Sequence, residues 1–331
     1  MANTHTTLTS LFADIANAIR VKTGGIEAIK ADEFPVAIAE ISVGTTDAED
    51  GLVTRSITQY SNDRVTSIGN YAFASCSALT EVNFPLVTSI GSYAFNGCSA
   101  LTSVIFPLTT SIGIYAFNNC KSLTSVDSPL VTSIGDYAFS TCSILTSVDF
   151  PLTTSIGARA FNGCSALTEA NFPLVTSIET STFHGCSALT EVDFPLATSI
   201  GTNAFNNCSA LTSVIFPLTT SIGSNAFYSC TALTEADFSS ATSIKSSAFY
   251  GCTALTKLIL RNTETVCSLW SANVLTSTPF TSGTGYIYVP AALVDSYKTA
   301  TYWSIVAAQF RALEDYTVDG TTTGELDPTK I

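Results

Sequence analysis

Charged side chains are scarce in this sequence of 331 residues. Only 12% of the residues are Asp, Glu, Lys or Arg, where roughly 25% is usual, and 13 Lys and Arg stand against 26 Asp and Glu. Because binding to a phosphate backbone needs clustered basic side chains, the net charge of −13 argues against a nucleic-acid partner. No apolar run approaches the ~18 residues that a membrane span requires, so no span is predicted.

A secretory signal is also missing from the start of the sequence as written. The N-terminus has no basic region followed by an uninterrupted apolar run, because Asp14 and Asn17 interrupt its apolar residues. Export through the secretory pathway is therefore not expected. The chain is nevertheless 46% apolar, which favours a folded core over disorder. Neutral hydroxyls, on 41 Ser and 49 Thr, take the place of surface charge.

Motifs for catalysis or metal binding are equally rare. The sequence has two histidines and contains no C-x-x-C, H-E-x-x-H or G-x-S-x-G motif and no glycine-rich phosphate loop. His184 occupies a repeat position that elsewhere holds Asn, which is typical of an exposed turn, and His5 lies close to the terminus. No catalytic, metal-binding or cofactor-binding residue is predicted. The protein is therefore not expected to be an enzyme.

A unit of 22 residues recurs from about residue 57 to residue 260, and its clearest copy is LTEVNFPLVTSIGSYAFNGCSA at residues 79–100. Thr-Ser-Ile is invariant in nine copies. The apolar residues of the clearest copy are in phase with their counterparts and are predicted to point inward: Leu79, Val82, Phe84, Ile90, Ala94, Phe95 and Cys98. Nine cysteines share this spacing, which indicates one column of buried thiols rather than a disulfide framework: Cys76, Cys98, Cys120, Cys142, Cys164, Cys186, Cys208, Cys230 and Cys252.

Each unit predicts one coil of a solenoid. L-x-x-V-x-F alternates like a short strand, the Pro that follows it ends the strand, and Val-Thr-Ser-Ile supplies a second extended piece. Gly then permits a turn, and Y-A-F-x-x-C predicts a single helical or 3₁₀ turn. Strands of successive coils are expected to stack about 4.8 Å apart. Hydroxyls in the invariant Thr-Ser columns can then hydrogen-bond along the stack, where like charges would repel.

Units such as LTSVIFPLTTSIG and AFNGCSALT resemble the BspA-like bacterial leucine-rich repeats over about two thirds of the chain. The resemblance implies a repeat solenoid of leucine-rich-repeat type, with short strands and short helical or 3₁₀ turns. Such repeats supply rigid recognition surfaces, and the fold alone does not name a ligand.

The residues outside the repeat predict caps for the two ends of the solenoid. Residues 1–41 predict a helical N-terminal attachment module, and LFADIANAIRVKTGG with IKADEFPVAIAEI resembles a short module of phage tail-associated proteins. The other predicted regions are a linker at 42–51, the solenoid of about nine repeats at 52–260, an α+β C-terminal cap at 261–316 and a flexible tail at 317–331.

The predicted C-terminal cap holds a helix over about residues 291–313, and Trp270, Tyr302 and Trp303 are expected to cover the last coil. The stretch SGTGYIYVPAALVDSYKTATYW resembles the ending that follows such repeats in gut Firmicutes and their prophages.

Two sets of outward positions are candidate ligand-binding residues. One position carries Tyr in four successive copies, which predicts a stripe for recognition or for stacking: Tyr71, Tyr93, Tyr115 and Tyr137. The outward face of the first strand carries acids that either solvate the sheet or bind a cation or ligand. These acids are Glu81, Asp127, Asp149, Glu169, Glu191, Asp193, Glu235 and Asp237, and the ligand-binding candidates among them are Glu81, Asp149, Glu191, Asp193 and Asp237.

The leading functional hypothesis is a non-enzymatic phage virion protein of the tail fibre or baseplate. It would attach to other virion proteins through its N-terminal helices and present the repeats to a glycan or protein of a bacterial surface. The alternative is a BspA-like adhesin, on the bacterial cell surface or extracellular, that binds host or matrix proteins. A glycan hydrolase is the third hypothesis. The sequence leaves a homo-oligomer open and predicts no cofactor.

Overall fold

The computed structural model describes residues 58–315 together with residues 317–318 and 321–322. These residues form a solenoid of about 12 stacked coils of ~22 residues, which confirms the fold class predicted from the repeat. The predicted attachment module at 1–41 and the linker at 42–51 lie outside the described residues, as does most of the tail at 317–331.

The first segment of each coil is a strand of three or four residues, and these strands pair in parallel from coil to coil in three runs, β1 to β7, β9 to β13 and β15 to β22. In register, Val82 pairs with Tyr60 and with Val104, and it points inward between the exposed side chains of Glu81 and Asn83. These long strands are β1 (Gln59–Ser61), β3 (Glu81–Asn83), β5 (Ser103–Ile105), β7 (Ser125–Asp127), β9 (Ser147–Asp149), β11 (Glu169–Asn171), β13 (Glu191–Asp193), β15 (Ser213–Ile215), β17 (Glu235–Phe238), β19 (Lys257–Leu260), β21 (Tyr286–Val289) and β22 (Phe310–Ala312).

A second column of two-residue strands follows the corner of each coil, which carries Pro in seven coils. They are β2 (Ser67–Ile68), β4 (Ser89–Ile90), β6 (Ser111–Ile112), β8 (Ser133–Ile134), β10 (Ser155–Ile156), β12 (Ser177–Ile178), β14 (Ser199–Ile200), β16 (Ser221–Ile222), β18 (Ser243–Ile244) and β20 (Ser268–Leu269). In seven coils the Thr before the strand donates its hydroxyl to the carbonyl of the Thr one coil earlier, as from Thr88 to Thr66 at 3.0 Å and from Thr110 to Thr88 at 3.1 Å. The hydroxyl column therefore hydrogen-bonds along the stack as predicted.

The third segment, Y-A-F-x-x-C, is a run of tight turns rather than a helix. The N–H of Asn96 donates to Tyr93 and that of Cys98 to Phe95, both at 3.1 Å, in bonds of 3₁₀ type. Between them, the N–H of Phe95 donates to Ala116 of the next coil at 2.7 Å. Tyr93 and Gly97 have φ of 59° and 76°, and these left-handed residues turn alternate N–H groups towards the neighbouring coil. Coil-to-coil hydrogen bonds thus replace a helix.

The core consists of apolar columns with the same 22-residue spacing. Phe95 stacks on Phe73 and on Phe117 with ring centroids 5.1 Å apart, and the same contact continues to Phe249. All ten cysteines are buried and none forms a disulfide. From Cys98 to Cys252, each Sγ–H donates to a Phe carbonyl of the preceding coil over 3.0–3.2 Å. Every polar thiol in this column therefore has a partner in the core.

Because of this burial, we expect the native protein to resist alkylation. Burial raises the pKa of the Cys164 and Cys267 thiols to about 12, so almost no thiolate is present at pH 8. Treatment with iodoacetamide at pH 8 followed by intact-mass measurement should show no adduct on the folded chain and ten on the chain unfolded in guanidinium. Rapid modification of the folded chain would contradict the buried column.

The C-terminal region extends the stack with the parallel strands β21 and β22. Its helices are α1 (Pro279–Ser282) and α2 (Val294–Thr299), with 3₁₀ segments at Ala272–Leu275, Ala291–Leu293, Trp303–Gln309 and Leu313–Asp315. The last two strands, β23 (Thr317–Val318) and β24 (Thr321–Thr322), pair antiparallel. No helix in the described ranges is long and apolar enough to cross a membrane.

The single helix predicted over 291–313 is wrong, because the chain must return to pair β22 with β21. The helical segment breaks before Tyr302, which has a φ of 65°. Trp303 is fully buried and donates its indole N–H to the carbonyl of Cys267 at 2.6 Å, so it covers the last coil as predicted. Trp270 and Tyr302 are instead exposed and do not serve as cover.

Candidate recognition surface

Four tyrosines from successive coils form a stack, here called the tyrosine ladder: Tyr71, Tyr93, Tyr115 and Tyr137. Neighbouring ring centroids lie 4.7, 4.8 and 4.4 Å apart, and the ring planes differ by 6–11°. Tyr71 is 53% exposed and the other three are half-buried. Since each inner ring is covered on both faces, the ladder presents ring edges and hydroxyl groups to solvent.

The backbone at the ladder position does not favour tyrosine. All four tyrosines have φ between 56° and 61°, a left-handed conformation that costs bulky residues free energy and that Asn tolerates well. Two later coils do carry Asn here, Asn203 and Asn225, with the same φ of 56° and 55°. Tyrosine therefore occupies four coils for the sake of its side chain and against the backbone preference.

Arg159 ends the ladder one coil after Tyr137. Its guanidinium carbon lies 5.3 Å from the centroid of the Tyr137 ring, a cation–π contact, and Nη1 donates to the Tyr137 hydroxyl. Partial desolvation raises the pKa of the Tyr115 phenol, and its hydrogen bond with Tyr137 raises it further. The ladder is therefore a row of hydroxyl groups with the positive charge of Arg159 at its end.

The predicted acids occupy the long-strand segment of the coil, whereas the ladder occupies the turn segment. Glu81, Asp149, Glu191 and Asp193 are exposed on the outer face of the sheet, and Glu81 accepts a hydrogen bond from Gln59 at 3.1 Å. In the described part of the chain, no three His, Cys, Asp or Glu side chains are arranged to hold a metal ion. The structure thus places the two sets of predicted residues on separate surfaces.

Asp237 differs from the other predicted acids because it is only 8% exposed. Arg261 donates to its carboxylate from Nε, which is shared between Oδ1 at 3.0 Å and Oδ2 at 3.1 Å, and from Nη2 to Oδ2 at 2.5 Å. Burial raises the pKa of Asp237, and Arg261 opposes that rise. The alternation of the strand had predicted that this carboxylate points into solvent. It is instead bound by Arg261 of a neighbouring coil.

His184 lies half-buried at its repeat position instead of on an exposed turn. Its Nδ1 is buried without a hydrogen-bond partner. Burial and then the charge of Arg159 lower the pKa of His184, so the imidazole is neutral at pH 7. Among the described residues, no hydrogen bond is seen between its Nδ1 and a Ser, Thr or Cys side chain.

A row of exposed leucines, here called the leucine ridge, was not predicted from the sequence. Each lies one residue after the Pro of its coil and is 39–45% exposed: Leu86, Leu108, Leu130, Leu152, Leu174, Leu196 and Leu218. The place of Leu86 in the repeat could have predicted its exposure. It stands between Phe84 and Val87, which both point inward, so no inward position is left for it.

The profile of the BspA type leucine-rich repeat region, which describes six copies, matches residues 55–168 and 154–271. Among solved structures, the chain is similar to a T. pallidum leucine-rich repeat protein, with 28% identity over 51% of this chain and 72% of the other and a TM-score of 0.40. It is also similar to a leucine-rich cell surface protein from Faecalibacterium prausnitzii, with 26% identity over 62% of this chain and 79% of the other and a TM-score of 0.33. A leucine-rich repeat protein from Eubacterium ventriosum has 19% identity over 71% of this chain and 87% of its own, with a TM-score of 0.44. No curated protein matches the chain.

Proposed function

This chain belongs to the BspA type of leucine-rich repeat proteins, and from that premise we propose that it is a non-enzymatic adhesin of a bacterial cell surface. In this proposal the solenoid is a rigid support, and the tyrosine ladder binds a host or matrix protein. The virion hypothesis depends on residues 1–41, which lie outside the described residues, and the family match begins only at residue 55. The solenoid thus supports the adhesin and not a tail attachment.

The observation that carries the proposal is the tyrosine ladder itself. Tyrosine offers a large rigid contact area and a hydroxyl at low conformational cost, which is why recognition surfaces are rich in it. Four tyrosines with exposed edges and hydroxyls, held at a spacing of 4.4–4.8 Å by strained backbone, form such a surface. Arg159 adds one directional, charged donor at the end of the row.

A binding measurement with Tyr115→Asn tests this proposal. The probe is a basement-membrane matrix extract immobilised on a sensor surface, with the purified protein in solution. Removing one central tyrosine should weaken binding about tenfold, the loss expected for a well-packed contact residue. Asn fits the backbone at this position, as Asn203 and Asn225 show, so the fold should be retained.

The matched control is Tyr250→Asn, which disrupts another stacked tyrosine pair of the same solenoid. Tyr228 and Tyr250 stack at 4.9 Å but lie three residues further along their coils than the ladder position. We expect this variant to bind the matrix like the wild type. Equal losses in both variants, or no saturable binding by the wild type, would overturn the proposed function.

A further inference from the structure

The leucine ridge is a continuous apolar surface at the corner between the long strands and the short strands. Its seven leucines occupy successive coils, and strands stack about 4.8 Å apart, so the ridge is about 30 Å long. Single exposed apolar side chains are common on protein surfaces, but an unbroken row over seven coils is not. A ridge of this length indicates a contact surface.

The segment that carries the ridge contains no charged residue. In each of these seven coils, the segment equivalent to residues 84–90 contains only Phe, Pro, Leu, Val, Ala, Thr, Ser and Ile. The acids of these coils lie mainly in the long strands, as at Glu81, Asp127 and Asp149, and outside this uncharged band. It offers neither basic groups for an anionic lipid nor acids for a basic partner.

We propose that the leucine ridge is the interface through which two copies of this chain associate. Two copies with this net charge repel each other electrostatically, and the repulsion is weakest where both present an uncharged surface. An apolar ridge is also complementary to itself, which a two-fold symmetric contact requires. This inference does not depend on the ligand of the tyrosine ladder.

The size of the surface fits a weak dimer. Each of the seven leucines is 39–45% exposed, so at roughly 170 Å² for a whole Leu side chain the ridge presents about 500 Å² per copy. The total of about 1,000 Å² is at the lower limit for specific association. The dimer should therefore be in measurable equilibrium with the monomer at micromolar concentrations.

The charges beside the ridge select the orientation of the two copies. Asp127, Asp149 and Asp193 are exposed along one side of it, and the threonine column that contains Thr88 lies along the other. A two-fold axis parallel to the solenoid places the acids of one copy opposite the threonines of its partner. An axis across the solenoid places acids opposite acids, which is unfavourable. The two chains should therefore run in the same direction.

Sedimentation equilibrium from about 1 to 200 μM protein tests the interface, with Leu152→Lys as the variant at the centre of the ridge. We expect the wild type to dimerise and the variant to have at least a tenfold higher dissociation constant, because the two introduced charges face each other. Ser147→Lys is the control, since it is exposed in the same coil away from the ridge. A wild type that stays monomeric, or an unchanged Leu152→Lys, would overturn the proposal.

Cysteine cross-linking tests the orientation. In a parallel dimer, Leu86 faces Leu86 of the other copy, so Leu86→Cys should form a disulfide-linked dimer under mild oxidation. The ten native thiols are buried and do not compete. If dimers form only when Leu86→Cys is mixed with Leu218→Cys, the parallel arrangement is refuted.

Discussion

Phe161→Ala is expected to lower the free energy of unfolding by about 3–5 kcal/mol, the range for removing a fully buried aromatic side chain. Phe161 stacks between Phe139 and Phe183 with centroids 5.3 and 5.4 Å away and ring planes within 7°. The coils above and below are held by backbone hydrogen bonds and cannot collapse into the cavity. In a stack where each coil contacts only its neighbours, the weakened contact lies near the middle of the array.

Guanidinium unfolding followed by circular dichroism measures this loss. The matched control is Ile144→Ala, an apolar truncation in the preceding coil at a position that is 44% exposed and outside the leucine ridge. Its expected cost is below about 1 kcal/mol, because much of the side chain is already in water. Similar costs for the two variants would contradict the packing of the phenylalanine column.

Arg261→Met is expected to cost about 2–4 kcal/mol at pH 7, because it leaves the Asp237 carboxylate buried without a partner. The two side chains are only 14% and 11% exposed, so solvent replaces little of the lost interaction. Lys257→Met is the control from the preceding strand. Lys257 lies 3.5 Å from Glu235 in a pair with 39% and 34% exposure, and the expected cost of its loss is about 0.5 kcal/mol or less.

The cost of Arg261→Met should also depend on pH. Burial raises the pKa of Asp237 above its ordinary value of 3.8, and removal of Arg261 raises it further. Between the unfolded and folded pKa values the folded chain binds more protons, so its stability falls as the pH rises through this window. Urea unfolding at pH 7 and at pH 4 should show the larger cost at pH 7. An equal cost at both values would contradict an unpaired buried carboxylate as its cause.

The 22-residue spacing was sufficient to predict the columns of the core. Phe95, Cys98 and Ile90 are buried as their phase predicted, and their counterparts repeat the contact in coil after coil. This works because a stacked coil gives each position the same surroundings as its counterpart one period away. Local sequence and tertiary structure agree at these positions.

The 3₁₀ character of the turn segment was predicted, but its left-handed residues could not be predicted from the segment alone. Tyr93, Ala94 and Phe95 with Cys98 have helical spacing, and tyrosine carries no preference for a positive φ. Hydrogen bonds to the next coil decide the conformation, as in the bond from Tyr93 to Ile114 at 2.8 Å. Such bonds depend on the stacked neighbour, which a single coil does not reveal.

The partner of Asp237 and the leucine ridge escaped prediction for different reasons. Arg261 lies just after the repeat ends, so periodicity could not place it over Asp237. The ridge leucines recur in seven successive coils, and a recurring apolar residue normally predicts a core position. It predicts an exposed position only when the inward positions on either side are already filled. Phe84 and Val87 fill them around Leu86.

The most direct test of the tyrosine ladder as a recognition surface is the matrix dissociation constant of the double variant Tyr93→Asn/Tyr115→Asn, measured on protein whose unfolding transition is recorded in parallel. We expect binding to weaken by between tenfold and about 100-fold, because the two tyrosines are in contact and their contributions need not add. The free energy of unfolding should change by less than about 1 kcal/mol, because relieved backbone strain offsets lost stacking. Unchanged matrix binding, or a loss of binding that accompanies a loss of several kcal/mol in stability, would contradict this role and make the ladder part of the scaffold.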